Sequence, residues 1–173
     1  MTMGLPAKLK NFNIFIDGES MIGVAQEVTL PKLTQKMVAY RGGGMLASVD
    51  IVLGLDDGAL DMDITVGGLM PALLKKLAVS TADGMQLRFQ GAYQDDTDGG
   101  YRACMIQTRG RFTEVDWGNA KVGEDSSHKY TLKNTYVRIS VDETVLYEVD
   151  ALNMKWVVGG EDKSAALRKA MGL

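Results

Sequence analysis

The chain has 173 residues, of which 46% are hydrophobic and 24% charged, as is typical of a single globular domain and not of a disordered chain. Its net charge is −3, with 22 acidic and 19 basic residues and no basic cluster, which argues against binding nucleic acid through its phosphates. A single cysteine excludes an internal disulfide, and the lack of a long apolar run leads us to expect neither a secretory leader nor a membrane anchor.

The first third of the chain alternates apolar and polar residues with the period of a β-strand. The segment NFNIFIDGESMIGVA predicts two short strands around a turn at Asp17-Gly18. The segment EVTLPKL continues in extended form, with Pro31 marking a sheet edge or a bulge. In ALDMDITVGG alternate residues are apolar, which predicts a half-buried strand. Its inward-facing residues are Leu60, Met62, Ile64 and Val66.

The second half of the chain predicts two further hairpins. In the first, the polar loop QDDTDGG joins MQLRFQGAY to YRACMIQTRGR. In the second, the segment 128–150 turns back on itself at Asp142-Glu143. In the segment 128–150 the alternation of apolar and polar residues shifts by one residue near 134–136. This shift predicts a bulge, or a strand whose two halves face different neighbours.

Only two segments predict helices. In 69–79 an apolar stripe recurs at helical spacing, formed by Met70, Leu73, Leu74 and Leu77. In 161–171, Asp162 is positioned to cap a short helix. Residues 1–173 are therefore expected to form one mainly β domain, either a barrel or a pair of packed antiparallel sheets, with one flanking helix and a short C-terminal helix.

The stretch YRGGGMLASVD contains a possible dinucleotide-binding motif. Gly42, Gly44 and Ala47 match G-x-G-x-x-[G/A], and Asp61 or Asp63 follows at about the required 20 residues. A dinucleotide turn needs a helix after the glycines, but LASVDIVLGL has no helical stripe. We therefore expect no nucleotide cofactor, and interpret the glycines as part of a loop that is ordered by contact with another surface.

The loop QDDTDGG resembles part of a calcium-binding loop. Asp96, Asp98 and Gly99 would occupy the third, fifth and sixth positions. Gln94 and Met105 would then stand at the first and twelfth positions, where ligands are essential. We expect a solvated turn and no metal site.

Cys104 and His128 are the only residues of their kinds, so a nucleophile–base pair must be considered. No third catalytic group or oxyanion donor can be identified beside them. The acidic pairs Asp56-Asp57 and Asp61/Asp63 flank strands and could in principle act as acid and base, but such pairs are far more often part of a solvated face, and we expect them there. The sequence predicts no enzyme and no catalytic residue.

A set of short motifs resembles a known family. They are NIFIDG, TLPKL followed by YRGGGM, LGLDDGAL, RGR…EVD, KVGE and YEVDALNM, with GL at the end. In this order and spacing they resemble, over essentially the whole chain, the major tail tube proteins of contractile-tailed bacteriophages, the family that includes the tube proteins of R-type pyocins. The resemblance implies a β-barrel-like domain of two packed antiparallel sheets with a flanking helix, and neither catalysis nor a cofactor.

The resemblance also implies how the chain assembles. Six copies would form a ring, and stacked rings would form the inner tube through which DNA passes without specific binding. The expected partners are the tail sheath protein, the tape-measure protein, the baseplate and the tail terminator, in a virion tail that assembles in the bacterial cytoplasm. The segment 31–55 resembles a projecting hairpin and loop that reaches a neighbouring copy. The residues expected in this inter-subunit contact are Tyr40, Arg41, Gly42, Gly43, Gly44 and Met45.

Two other functions remain open on the sequence. An inner tube protein of type VI secretion would also form rings. A monomeric β-barrel that binds a small ligand would instead be a stable monomer with an apolar interior cavity.

Overall fold

The structure is a computed structural model that describes residues 4–173, and strands dominate it. The elements of this part of the chain are, in order, β1 (Lys8–Ile16), β2 (Glu19–Ser20), β3 (Ala25–Thr29), β4 (Gln35–Tyr40), β5 (Val49–Leu55), β6 (Met62–Val66), α1 (Pro71–Leu74), β7 (Met85–Gln94), β8 (Tyr101–Asp116), β9 (His128–Val141), β10 (Thr144–Asp150), β11 (Lys155–Val158), β12 (Glu161–Asp162) and α2 (Ala165–Ala170).

Two antiparallel sheets contain these strands. A ten-stranded sheet has the order β12-β11-β10-β9-β8-β7-β1-β2, and β6 joins it through β9 and carries β3 on its other edge. The strands β4 and β5 form a separate two-stranded sheet. Because β1 and β3 do not pair, the large sheet curves like a barrel without closing into one. The predicted mainly β, barrel-like fold with two antiparallel sheets is confirmed.

The long strand β9 changes its partner half-way along. Its first half pairs with β6 from His128 to Leu132, and its second half pairs with β10 from Tyr136 to Val141. Both halves pair with β8 on the other edge, where the register shifts between Arg109 and Gly110. The predicted irregularity near 134–136 is confirmed, and it is where the sheet branches.

The core lies inside the curve of the sheet. All four residues predicted to face inward in β6 and just before it are buried. They pack against a cluster drawn from the other strands and α1, which includes Ile14, Ile16, Leu73, Met85, Leu87, Phe89, Ile106, Phe112, Tyr130, Leu132, Val137 and Val149. Burial of this apolar surface is the main stabilising contribution to the fold.

Both predicted tight turns are present. Asp17 and Gly18 have φ values of 49° and 86°, and Asp142 and Glu143 have φ values of 47° and 68°. Positive φ at both central residues matches the right-handed twist of the flanking strands, which is why such turns join hairpins.

Both helices are shorter than the segments that predict them. Within 69–79 only Pro71–Leu74 is helical, because Ala78 takes a φ of 67° and Leu77 forms a parallel bridge with Phe112. Within 161–171 the helix begins after Ser164, whereas Asp162 belongs to β12. Asp162 is therefore not the helix cap; it accepts a hydrogen bond from the Ser164 N–H at 3.0 Å. Among residues 4–173, no helix has the length and apolar character needed to span a membrane.

A projecting hairpin as candidate inter-subunit site

The hairpin formed by β4 and β5 stands apart from the rest of the molecule. These two strands pair only with each other, and every residue of β4 is exposed. At the root, the Leu33 N–H donates to the Ala59 carbonyl at 3.0 Å and the Asp56 N–H donates to the Thr34 carbonyl at 2.9 Å. The hairpin is thus anchored at its base and projects without support from the core.

One face of this hairpin is apolar along its length. Val38 lies opposite Ile51, and Tyr40 lies opposite Val49. Leu53 follows on the same face by strand alternation. All five side chains are exposed, with Tyr40 at 56% and Leu53 at 60%. A two-stranded hairpin alone is marginally stable, and contiguous exposed apolar surface marks a contact site.

The glycine-containing loop at the hairpin tip is ordered by its own residues. The guanidinium of Arg41 donates to the Met45 carbonyl at 3.3 Å and to the Leu46 carbonyl at 3.1 Å. The Met45 N–H closes a turn by donating to the Gly42 carbonyl at 3.2 Å. Gly44 takes a φ of 85°, in the left-handed region that favours glycine. The tip is a turn that hydrogen bonds within the loop hold in place.

The structure gives the predicted contact residues different roles. Tyr40 belongs to the exposed apolar face, whereas Arg41 is engaged inside the loop and Met45 is half-buried against it. Gly43 is exposed in the tip loop, and so is Leu46, at 98%. The contact itself stays a prediction for all six residues.

Most of the apolar face is not identifiable as a contact site from the sequence. Its unidentified residues are Val38, Val49, Ile51 and Leu53. The sequence does show alternation, because Val49, Ile51 and Leu53 are every second residue of one strand and Val38 and Tyr40 of the other. Lys36 is the one polar residue on that face of the two strands. Alternation predicts strands, but it does not predict whether a core covers their apolar face.

The glycine motif does not form a nucleotide site. The strand β5 follows the loop, so no helix N-terminus is available to hold a pyrophosphate. The structure shows a loop and not a dinucleotide turn. Hydrogen bonds within the loop order it, and its ordering by contact with another surface stays a prediction.

Cys104 and His128 cannot act as a pair. Cys104 lies opposite Val141, at one end of β9, and His128 begins that strand. They are separated by 13 residues of strand, which is about 40 Å along its path. His128 is buried against the ring of Trp117 at a centroid distance of 4.7 Å. Partial burial raises the pKa of the Cys104 thiol, which disfavours the reactive thiolate.

The acidic loop between β7 and β8 uses its carboxylates to hold its own turns. Asp95 accepts a hydrogen bond from the Thr97 N–H at 2.8 Å, and Asp98 accepts one from the Gly100 N–H at 2.7 Å. The hydrogen bond from Thr97 lowers the pKa of Asp95 below its ordinary value. In the described part of the chain, no three His, Cys, Asp or Glu side chains are grouped to hold a metal ion.

A barrel-like β domain with an exposed apolar hairpin is typical of structural proteins that assemble with other chains. The family model described as phage tail tube protein FII matches residues 6–172. The chain is 42% identical to the tail tube protein of Escherichia phage P2, over 99% of this chain and all of that protein. It is 44% identical to the major tail tube protein of Serratia phage KSP20, over 92% of each. The chain belongs to the phage tail tube protein FII family, whose members are structural proteins and not enzymes.

A solved structure shares the fold at much lower sequence identity. A chain in the six-fold symmetrised cryo-EM structure of the anti-feeding prophage baseplate aligns with a TM-score of 0.53 and 11% identity. The alignment covers 80% of this chain and 97% of the other. The family assignment of this chain rests on the sequence matches, and the same fold recurs in a chain of that baseplate structure.

Proposed function

We propose that this chain is the subunit of the inner tube of a contractile phage tail. Six copies form a ring, and stacked rings form the conduit for DNA during penetration of the host cell. The observation that carries the proposal is the apolar face of the β4–β5 hairpin, which no part of the described chain covers, on a member of a tail tube family. The number six comes from the resemblance to contractile-tail tubes.

The hairpin and the surface that receives it are different parts of the molecule. Contacts of this heterologous kind generate rings when the rotation closes and filaments when it does not. A tube made of stacked rings needs both kinds of contact: one that closes each ring, and one that stacks ring on ring without closing. The segment 31–55 and the tip residues from Tyr40 to Met45 carry the contact in this account, with the apolar face as its buried centre.

A role in the tail tube also determines which proteins this chain contacts and where in the virion it lies. The tube is enclosed by the sheath protein, contains the tape-measure protein, starts at the baseplate and ends at the terminator. Each subunit contributes a net charge of −3, so a ring is acidic as a whole, which favours the passage of DNA without binding to its phosphates. The assembled protein resides in the virion tail, after assembly in the host cytoplasm.

Negative-stain electron microscopy of the purified protein over a range of concentrations tests this proposal. Annular rings or hollow rods are the expected result, alone or after addition of baseplates. A protein that remains monomeric at every concentration, and also with baseplates, contradicts it and favours the monomeric ligand-binding barrel.

A further inference from the structure

The face of the large sheet that points away from the core carries a groove rich in arginine. Its volume is about 300 Å³. The side chains that define it are Phe15, Gln86, Arg88, Gln107, Arg109 and Tyr136. Guanidinium and amide groups together provide hydrogen-bond donors that suit an oxyanion.

The two arginines of the groove differ in their charge balance. Arg109 lies over the Tyr136 ring at 4.1 Å and also reaches the Asp150 carboxylate at 3.7 Å. Arg88 lies over the Phe15 ring at 4.1 Å, but it takes part in none of the ion pairs within residues 4–173. Its buried Nε has no hydrogen-bond partner. The aromatic ring fixes the position of a half-buried cation that lacks an anion.

The hairpin carries a carboxylate that lacks a cationic partner. Asp50 lies in β5, opposite Ala39, on the face that also contains Met37 and Val52. It is five residues from the end of the strand at Leu55, about 15 Å out from the hairpin root. It forms no ion pair within the described chain, and aspartate is disfavoured inside strands.

Asp50 lies on the side of the hairpin opposite to the apolar face, so a neighbour that encloses the hairpin contacts both sides. A carboxylate buried by such a contact must be paired, because an isolated buried charge is strongly destabilising. A guanidinium pairs with a carboxylate through two parallel hydrogen bonds and so also fixes orientation. The groove and the hairpin lie on different sheets of the chain, so one copy can provide the carboxylate while its neighbour provides the guanidinium. Each copy then uses both surfaces, as a heterologous contact requires.

We propose that Asp50 of one copy enters the groove of the next copy and pairs with Arg88. Gln86 and Gln107 flank the carboxylate there. This inference rests on the proposed function, because it needs copies that assemble through the hairpin. It adds the receiving surface and the ion pair that sets the register between copies.

Charge reversal on both sides tests the pairing. Light scattering measures the lowest concentration at which the wild type, Asp50→Lys, Arg88→Glu and the double variant assemble. We expect each single reversal to raise that concentration by about 30-fold or more, as for a truncated buried charge pair, and the double variant to recover most of the loss. Asp57→Lys, an exposed acidic residue at the hairpin root, is the matched control and is expected to assemble as the wild type does.

The outcomes separate this inference from the function on which it rests. A wild type that never assembles, either alone or with baseplates added, contradicts the proposed function. A wild type that assembles, with Asp50→Lys equal to it or the double variant no better than the single ones, overturns the ion pair alone. Circular dichroism checks folding, and Arg88→Met replaces Arg88→Glu if the latter unfolds, because it keeps the packing on Phe15.

A DNA phosphate is the alternative oxyanion that could occupy the groove in place of the Asp50 carboxylate. Titrating a short DNA duplex against the unassembled protein distinguishes these two ligands. Binding that is present in the wild type and lost in Arg88→Glu, with assembly unchanged, would assign the groove to DNA and overturn the proposal.

Discussion

Lys76 donates to the Asp17 carboxylate at 2.6 Å and so ties the β1–β2 turn to the segment after α1. The other oxygen of the same carboxylate accepts the Gln86 N–H at 2.9 Å, near the start of β7. One side chain therefore connects three parts of the molecule that are distant in sequence.

The Asp17 carboxylate makes stability depend on pH. Partial burial raises the pKa of Asp17, but the hydrogen bonds from Lys76 and the Gln86 N–H outweigh it, and the pKa lies below its ordinary value of 3.8. A carboxyl whose pKa is lower in the folded state stabilises the fold above that ordinary value, and this contribution is lost as the pH falls below it. Asp17→Asn is expected to cost about 1 kcal/mol at neutral pH, because the pair is partly exposed. Urea midpoints at pH 7 and pH 3 check this: the variant should lose less stability on acidification than the wild type.

Gly110 is required where β9 changes its partner. A Cβ at this position would lie 2.2 Å from the Lys133 carbonyl oxygen and 2.8 Å from the Asn134 Cα. Both are backbone atoms, so the strands must move apart. Gly110→Ala is expected to destabilise the fold by about 1–3 kcal/mol. Thermal unfolding measures it; Gly43→Ala, with open space around its Cβ, is the control and should leave the midpoint unchanged.

The sequence predicts the local structure of the large sheet well. The Asp17-Gly18 and Asp142-Glu143 turns and the inward residues of β6 follow from turn chemistry and strand alternation. The helix lengths do not, because the apolar stripe of 69–79 fits a helix while tertiary packing places Leu77 beside Phe112 in an extended bridge. Local propensity is a weak guide where a distant strand competes.

The candidate site could be located from the sequence only in outline. The glycines of the tip indicate a turn, but the hydrogen bonds of Arg41 to its own loop depend on the folded turn. Alternation in β4 and β5 likewise cannot distinguish a strand over a core from one that projects into solvent. That difference depends on the pairing of distant strands, which leaves the hairpin outside the large sheet.

The apolar hairpin face should matter for assembly and not for folding. Ile51→Lys places a charge in the middle of that face, where the wild-type side chain is 45% exposed. We expect the thermal midpoint to change little, because no core contact is lost, and assembly to be abolished or strongly weakened. Val122→Lys, at a fully exposed loop position, is the control. Equal assembly of the two variants would remove the hairpin face from the contact.

Arg41 should act through the shape of the loop. Arg41→Ala removes two hydrogen bonds to carbonyl groups, so the tip is expected to be cleaved faster in limited proteolysis between residues 41 and 48. The free energy of unfolding of the domain is expected to change by less than about 0.5 kcal/mol, since the site is exposed and remote from the core. Lys36→Ala, in the same hairpin, serves as the comparison. A loop that is no more sensitive in Arg41→Ala would show that the arginine does not order it.

A cryo-EM reconstruction of the assembled protein tests the central claim most directly, because it shows what covers the hairpin. The account predicts that β4 and β5 are buried against another copy of the chain, with Tyr40 and Ile51 out of contact with solvent. A reconstruction in which the hairpin projects freely into solvent, while the copies join through other surfaces, would contradict it.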